Sequence, residues 1–150
     1  MSTFYHQFKL TNEFSPSVLF IFIKDTLVEI GIILYTMGDM NGALSSFKEA
    51  FHMYGRDRTR SSDIGLSKVL NNIGCIYFAL NKWDESLRYL EKAHALQRMT
   101  LGLNVKAESA ILNCALTLSN IGHIKLKQYM SDAVAPLEES LLVRLRISVI

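Results

Sequence analysis

Leu27 to Ala50 reads LVEIGIILYTMGDMNGALSSFKEA, Leu70 to Ala93 reads LNNIGCIYFALNKWDESLRYLEKA, and Leu118 to Ser140 reads LSNIGHIKLKQYMSDAVAPLEES. Each stretch opens on a leucine, with Ile-Gly three and four residues later. Each closes on an apolar-x-x-small pattern: Phe47 to Ala50, Leu90 to Ala93, Leu137 to Ser140. Internal recurrence of this kind is the signature of stacked copies of one supersecondary unit, each too small to bury its own apolar face alone.

The unit reads as a helical hairpin. Leu70, Ile73, Tyr77 and Leu80 recur at helical spacing and predict one apolar face. Gly74 lies on that face without a side chain, so a neighbouring helix can approach closely, which offsets the helix propensity that glycine costs. Asn81-Lys82 forms a polar break. Beyond it Trp83, Ser86, Leu87, Leu90 and Ala93 make the answering face, with small residues at 86 and 93 for close contact. The first stretch repeats the arrangement with Leu27, Ile30, Gly31 and Leu34, then Gly38-Asp39, then Met40, Ala43, Phe47 and Ala50.

These residues resemble the tetratricopeptide repeat, whose pattern is a bulky residue, Leu-Gly, a Tyr, a turn Gly, an Ala, a Phe and a second Ala. Leu27, Ile30-Gly31, Leu34, Gly38, Ala43, Phe47 and Ala50 supply it once. Leu70, Ile73-Gly74, Tyr77, Asn81, Ser86, Leu90 and Ala93 supply it again. The third copy departs: Lys125 stands where the Tyr belongs, Gly122 to Leu137 is one residue shorter than Gly74 to Leu90, and Pro136 predicts a kink or a late start in its second helix. The resemblance implies an all-α, right-handed solenoid of antiparallel helical hairpins. It would form a single repeat domain over residues 1–150, with repeats at about 17–55, 64–99 and 107–146. Gly31 and Gly74 are 43 residues apart and Gly74 and Gly122 are 48, against a standard unit of about 34. A longer connection is therefore expected after each hairpin. With Leu70-Asn71-Asn72-Ile73 and the connector from Leu101 to Ala107, this resembles the longer repeats of the kinesin light chain class.

Outside the repeats, Phe4, Tyr5, Phe8 and Leu10 read as the tail of a preceding second helix. Ser15-Pro16 reads as an N-cap and first turn, opening a helix to about Met37. Leu141 to Ile150 is apolar on several faces with no polar cap of the kind solenoid ends carry. The expectation is a fragment of a longer array, or ends that dimerise.

Composition excludes several function classes. With 49% hydrophobic and 20% charged residues the chain can build a core, so global disorder is not expected. Two prolines and eight glycines are too few turn residues for a β-rich fold of this length. A net charge of +2 gives no field of one sign, so nucleic acid is not an expected partner. The run Arg56-Asp57-Arg58-Thr59-Arg60 reads as a solvated loop, or as a docking point for an acidic segment. Cys75 and Cys114 are the only cysteines and lie in separate apolar stretches, with no disulfide framework or metal knuckle. No secretory signal is visible, and a cytoplasmic, reducing location is the expectation. Val18 to Ile23 (VLFIFI) and Ile30 to Tyr35 (IGIILY) are interrupted by Lys24, Asp25 and Glu29. Three charges argue against a membrane span and for a helix buried on most faces.

No phosphate loop, His-Glu-x-x-His, nucleophile elbow or close cysteine pair is present. His6, His52, His94 and His123 are scattered, where a metal site needs clustered donors. Neither catalysis, a cofactor nor a metal is expected. The resemblance implies instead that the first helix of each hairpin lines a concave surface, read by residues beside the packing face. These are Asp25, Val28, Glu29, Ile32 and Tyr35 in the first repeat. In the second they are Lys68, Asn71, Asn72, Cys75 and Phe78, and in the third Ser119, Asn120, His123 and Lys127. Asn71 and Asn72 offer donor and acceptor together and so can grip a peptide backbone; alternatively Asn72 bonds the neighbouring hairpin. Chaperone-binding members of the family grip a terminal carboxylate with a Lys and an Asn in the opening repeat. Val28 and Ile32 occupy those positions here, so only Asn72 fits and the clamp is incomplete. The expected function is a protein-interaction scaffold that holds a peptide segment of a partner in the groove. Its rival is an assembly element that self-associates through its apolar ends.

Overall fold

A computed structural model describes residues 15–56, 60–102, 108–128 and 132–145. The described residues form six helices in this order: α1 (Pro16–Thr36), α2 (Met40–Arg56), α3 (Arg60–Ala79), α4 (Trp83–Gly102), α5 (Glu108–Lys127) and α6 (Val134–Leu145). Each helix packs on the next, and α3 also touches α5. The described residues thus form three antiparallel hairpins stacked in sequence, and their contacts are those of a quasi-one-dimensional repeat.

The glycine at the centre of each hairpin marks the closest approach of its two helices. A Cβ at Gly31 would sit 2.6 Å from the Phe47 ring, one at Gly74 2.7 Å from Leu90, and one at Gly122 2.5 Å from Leu137. The third hairpin therefore has the same register as the others although it is one residue shorter. Its second helix starts late, and Pro136 falls in the first turn, where the missing N–H had no helical partner to lose. Ser86 adds a bond of its own: its buried hydroxyl donates to the Gly74 carbonyl at 2.6 Å. The turns also correspond, since Gly38 (φ 84°) and Asn81 (φ 57°) hold the left-handed position that ends a helix. Asp39 then caps α2 by accepting from the Gly42 N–H at 2.9 Å. Pro16 opens α1 as expected, but Ser15 makes no side-chain cap bond.

Two expectations are corrected. The residues beyond the standard unit length lengthen helices rather than connections. α3 begins ten residues before Leu70 and α4 runs nine beyond Ala93. The early turn of α3 is held because Gly65 lies under the Tyr54 ring. Nor is α1 buried on most faces. Leu19, Phe22, Ile23, Ile30 and Ile33 are all more than 40% exposed, so Ile30 faces outward instead of joining the hairpin face. Leu80 likewise is exposed in its turn.

The core sits at the joints between hairpins. Ala43, Phe47, Ala50 and Tyr54 of α2 pack with Val69, Ile73 and Ile76 of α3. Leu90 of α4 packs with Ile121 and Ile124 of α5, with Trp83 and Leu87 against them. Trp83 thus serves the joint to the third hairpin, not only its own. Among the described residues, no helix is long and apolar enough to cross a membrane.

Candidate functional site: a groove across the first helices

Because α1 and α3 scarcely touch, a groove opens between them and continues to α5. Its volume is about 880 Å³. Ser17, Phe20, Ile21, Lys24, Asp25, Val28, Glu29 and Ile32 of α1 form one wall. Ile64, Gly65, Lys68, Asn71 and Asn72 of α3 form the other. Tyr54, Gln97, Asn113 and Leu116 close the floor and the far end.

Under the α1 wall lies a polar joint between the first two hairpins. Lys24 is only 4% exposed. Its ammonium donates to Ser62 Oγ at 3.0 Å and lies 4.7 Å from the Tyr54 ring centroid and 5.8 Å from that of Phe20. A buried cation needs such hydrogen-bond and π partners to offset its desolvation. The Tyr54 hydroxyl donates to Asp25. Burial first, and then that carboxylate, push the tyrosine's pKa up, so the phenol stays protonated.

A second polar joint ties the last two hairpins. Gln97 Nε2 donates to Thr117 Oγ1 at 3.0 Å and to the Asn113 carbonyl at 3.4 Å. The Thr117 hydroxyl lies within bonding distance of Asn71 Oδ1 (3.0 Å) and the Asn113 carbonyl (2.9 Å). Asn120 Nδ2 reaches Asn71 Oδ1 at 3.5 Å and Cys75 Sγ at 3.4 Å. The bridging role expected of Asn72 therefore belongs to Asn71. Asn72 is half-buried in the groove, and among the described residues its side chain has no hydrogen bond.

Of the groove residues read from the sequence, Asp25, Val28, Glu29, Ile32, Lys68, Asn71 and Asn72 line this one groove. Tyr35 and Phe78 are exposed and do not line it. Cys75 and Asn120 are drawn into the α3–α5 joint, and Ser119 turns toward α6, with its Oγ 3.0 Å from Ser140 Oγ. His123 is exposed, and its ring bonds back to the Ser119 carbonyl at 2.7 Å; Lys127 is also exposed. Phe4, Tyr5, Phe8, Leu10, His6 and Arg58 lie outside the described residues, while Arg56 is exposed at the end of α2. Lys24, Tyr54, Gln97, Asn113 and Thr117 were not read as site residues. The lysine inside the α1 apolar run was their one legible signal.

One cluster has the order of a nucleophile, base and carboxylate: Cys114 Sγ is 3.7 Å from His94 Nδ1, and His94 Nε2 is 3.8 Å from Glu139. Its electrostatics oppose nucleophilic chemistry. The thiol is 2% exposed, and burial, assisted by Glu139, pushes its pKa up to about 11. Burial also lowers the His94 pKa. An uncharged imidazole beside a protonated thiol is a packing arrangement, since reactivity needs the thiolate. Among the described residues, no group of three or more His, Cys, Asp or Glu side chains could hold a metal ion.

The hairpins, their glycine contacts and the groove across the first helices define a helical-repeat protein, and the tetratricopeptide-repeat family model matches residues 23–99. The chain belongs to that family, whose domains generally serve as protein–protein interaction modules and are typically non-catalytic. The structure is similar to the N-terminal domain of stress-induced protein-1 (STI-1) from C. elegans, with TM-score 0.62 and 23% identity over 81% of this chain and 84% of that one. It is also similar to BtubC (BKLC) from P. vanneervenii, with TM-score 0.71 and 16% identity over 89% of this chain and 49% of that one. A search of curated protein sequences finds no match.

Proposed function

We propose that the groove across α1, α3 and α5 holds a peptide segment of a partner protein. The observation that carries this reading is the contrast between the paired asparagines. Asn71 is engaged by Thr117 and Asn120. Asn72, its neighbour, is half-buried in the groove, and among the described residues its amide is unengaged. An occupant of the groove that withdraws this amide from water without giving it a partner incurs a free-energy cost. A peptide backbone laid in the groove supplies both a donor and an acceptor to offset it. Val28, Ile32 and Leu116 give the same occupant apolar contact.

The test is a peptide array probed with the wild-type chain, Asn72→Ala and Asn71→Ala. Asn72→Ala is expected to melt as wild type and to bind the selected peptides about two- to ten-fold more weakly, the worth of one neutral hydrogen bond. Undiminished binding by a stably folded Asn72→Ala overturns the reading.

A second reading, self-association through the apolar ends, is favoured by one observation. Leu19, Phe22, Ile23, Ile30, Ile33 and Met37 form an exposed stripe along α1, at heptad-like spacing. Leu141, Leu142 and Leu145 are exposed on α6. Sedimentation of the chain over a range of concentrations decides it: a monomer at all concentrations removes the second reading.

A further inference from the structure

The groove contains two lysines and two carboxylates, and they differ in what they already hold. Lys24 is bonded to Ser62, and Asp25 accepts from Tyr54. Glu29 on the α1 wall and Lys68 on the α3 wall are both exposed. Among the described residues neither has a hydrogen bond or an ion pair, with each other or with any other group. Each charge is offered to whatever lies between. At the α5 end Asn113 and Leu116 carry no charge.

We infer that the groove selects a partner segment that carries one basic and one acidic residue about three or four positions apart, the base over Glu29 and the acid over Lys68, with an uncharged stretch where it crosses α5. The inference rests on the peptide-groove reading and specifies its ligand. On an open surface, unpaired charges are solvated and matter little. Within a concave site an occupant strips water from them, so a like charge placed opposite is penalised and a complementary one is favoured. A segment with two acids meets Glu29 and Asp25 on the α1 wall. One with two bases meets Lys68 on the other. Only the mixed segment satisfies both walls, and an extended chain, rising about 3.3 Å per residue, covers about 10–13 Å in three or four residues.

The experiment uses the full chain and four end-blocked fluorescent peptides on one Leu/Ala background, differing at two positions three apart: Lys/Glu, Lys/Lys, Glu/Glu and Gln/Gln. Anisotropy titrations at low salt are expected to rank Lys/Glu first, about two- to five-fold ahead of either like-charged peptide, with the gap closing at high salt. Glu29→Lys is expected to move Glu/Glu to first place, and Lys68→Glu to move Lys/Lys there. Glu29→Gln and Lys68→Gln remove the charge without reversing it. Should a reversal disturb folding, they test the same ranking through a smaller change. If Gln/Gln binds but the charged peptides bind equally well, or if the order is the same in all variants, the charge inference is overturned and the groove reading survives. If none of the four binds, Gln/Gln included, both fall.

Discussion

Helices α1 and α5 hold the same place in the first and third hairpins, and both carry a central glycine under a bulky residue of the next helix: Phe47 for Gly31 and Leu137 for Gly122. Their outer faces differ. α5 follows a hairpin, and Ala110, Ile111, Cys114, Leu118, Ile121 and Ile124 are buried, the last two against Leu90 of α4. α1 is the more apolar helix, yet Leu19, Phe22, Ile23, Ile30 and Ile33 remain exposed. In a stacked repeat, what a first helix buries is decided by the hairpin before it as much as by its own residues.

The largest expected effect tests this difference directly. Ile124→Ala removes a side chain that is 1% exposed, packed with Leu90 and Ile121. It is expected to cost about 2–5 kcal/mol, lost transfer energy plus a cavity, read as a fall in chemical-denaturation midpoint at unchanged slope. Ile23→Ala in α1, at 43% exposure, is expected to cost far less. Equal losses would mean that the α1 stripe is covered in solution.

Next in size are the glycines, which sharpen the comparison by locating what the two helices share. Gly31→Leu and Gly122→Leu each force a side chain against a neighbour already at van der Waals contact, an overpacking expected to cost about 1–3 kcal/mol. Similar falls in melting temperature would show that α1 and α5 differ on the outer face alone. A tolerated Gly122→Leu would break the register assigned to the third hairpin.

The sequence made the hairpins legible because their inner face is local. Gly74 and Leu90, or Gly31 and Phe47, lie sixteen residues apart, and any two helices joined by a tight turn must bring them together. Even the shortened third copy shows its glycine and its leucine. The joints between hairpins were less legible. Asn71 and Asn72 are adjacent, about 100° apart on the helix, and which of them meets α5 depends on the angle between repeats, which no single repeat encodes. The burial of Lys24 depends on Ser62, 38 residues away, and the exposure of Ile30 on the absence of a covering helix among the described residues. The early start of α3 was not legible because Ser62 and Gly65 face Lys24 and Tyr54, residues of other helices.

A smaller effect separates the asparagines. Asn71→Ala is expected to lower stability by about 0.5–1.5 kcal/mol, because Thr117 and Asn120 lose an acceptor. At the first joint the corresponding bond runs from Lys24 of α1 to Ser62 of α3. Asn72→Ala is expected to melt as wild type. If the two variants melt alike, the polar bridge does not hold α3 to α5 in solution, and α5 is anchored by its contacts with α4 and α6.

The smallest expected effect concerns the α1 stripe itself. Leu19→Ser, Ile30→Ser and Ile33→Ser, made singly, replace side chains that are 54%, 42% and 55% exposed and face away from α2. Exposed positions away from caps, cavities and buried networks change stability by within about 0.5 kcal/mol. Each variant is therefore expected to melt within a few degrees of wild type at micromolar concentration, a shift of about 2–4 °C at most for a chain of this size. The measurement discriminates because each possible cover of the stripe has its own dependence on concentration. A face open to water gives small shifts at every concentration. A face covered by a second copy gives shifts that grow with protein concentration, since association stabilises by mass action. A face covered by another part of the same chain gives large shifts that do not change with concentration. That last outcome would erase the contrast between α1 and α5, for the α1 stripe would then be covered as Ile121 and Ile124 of α5 are.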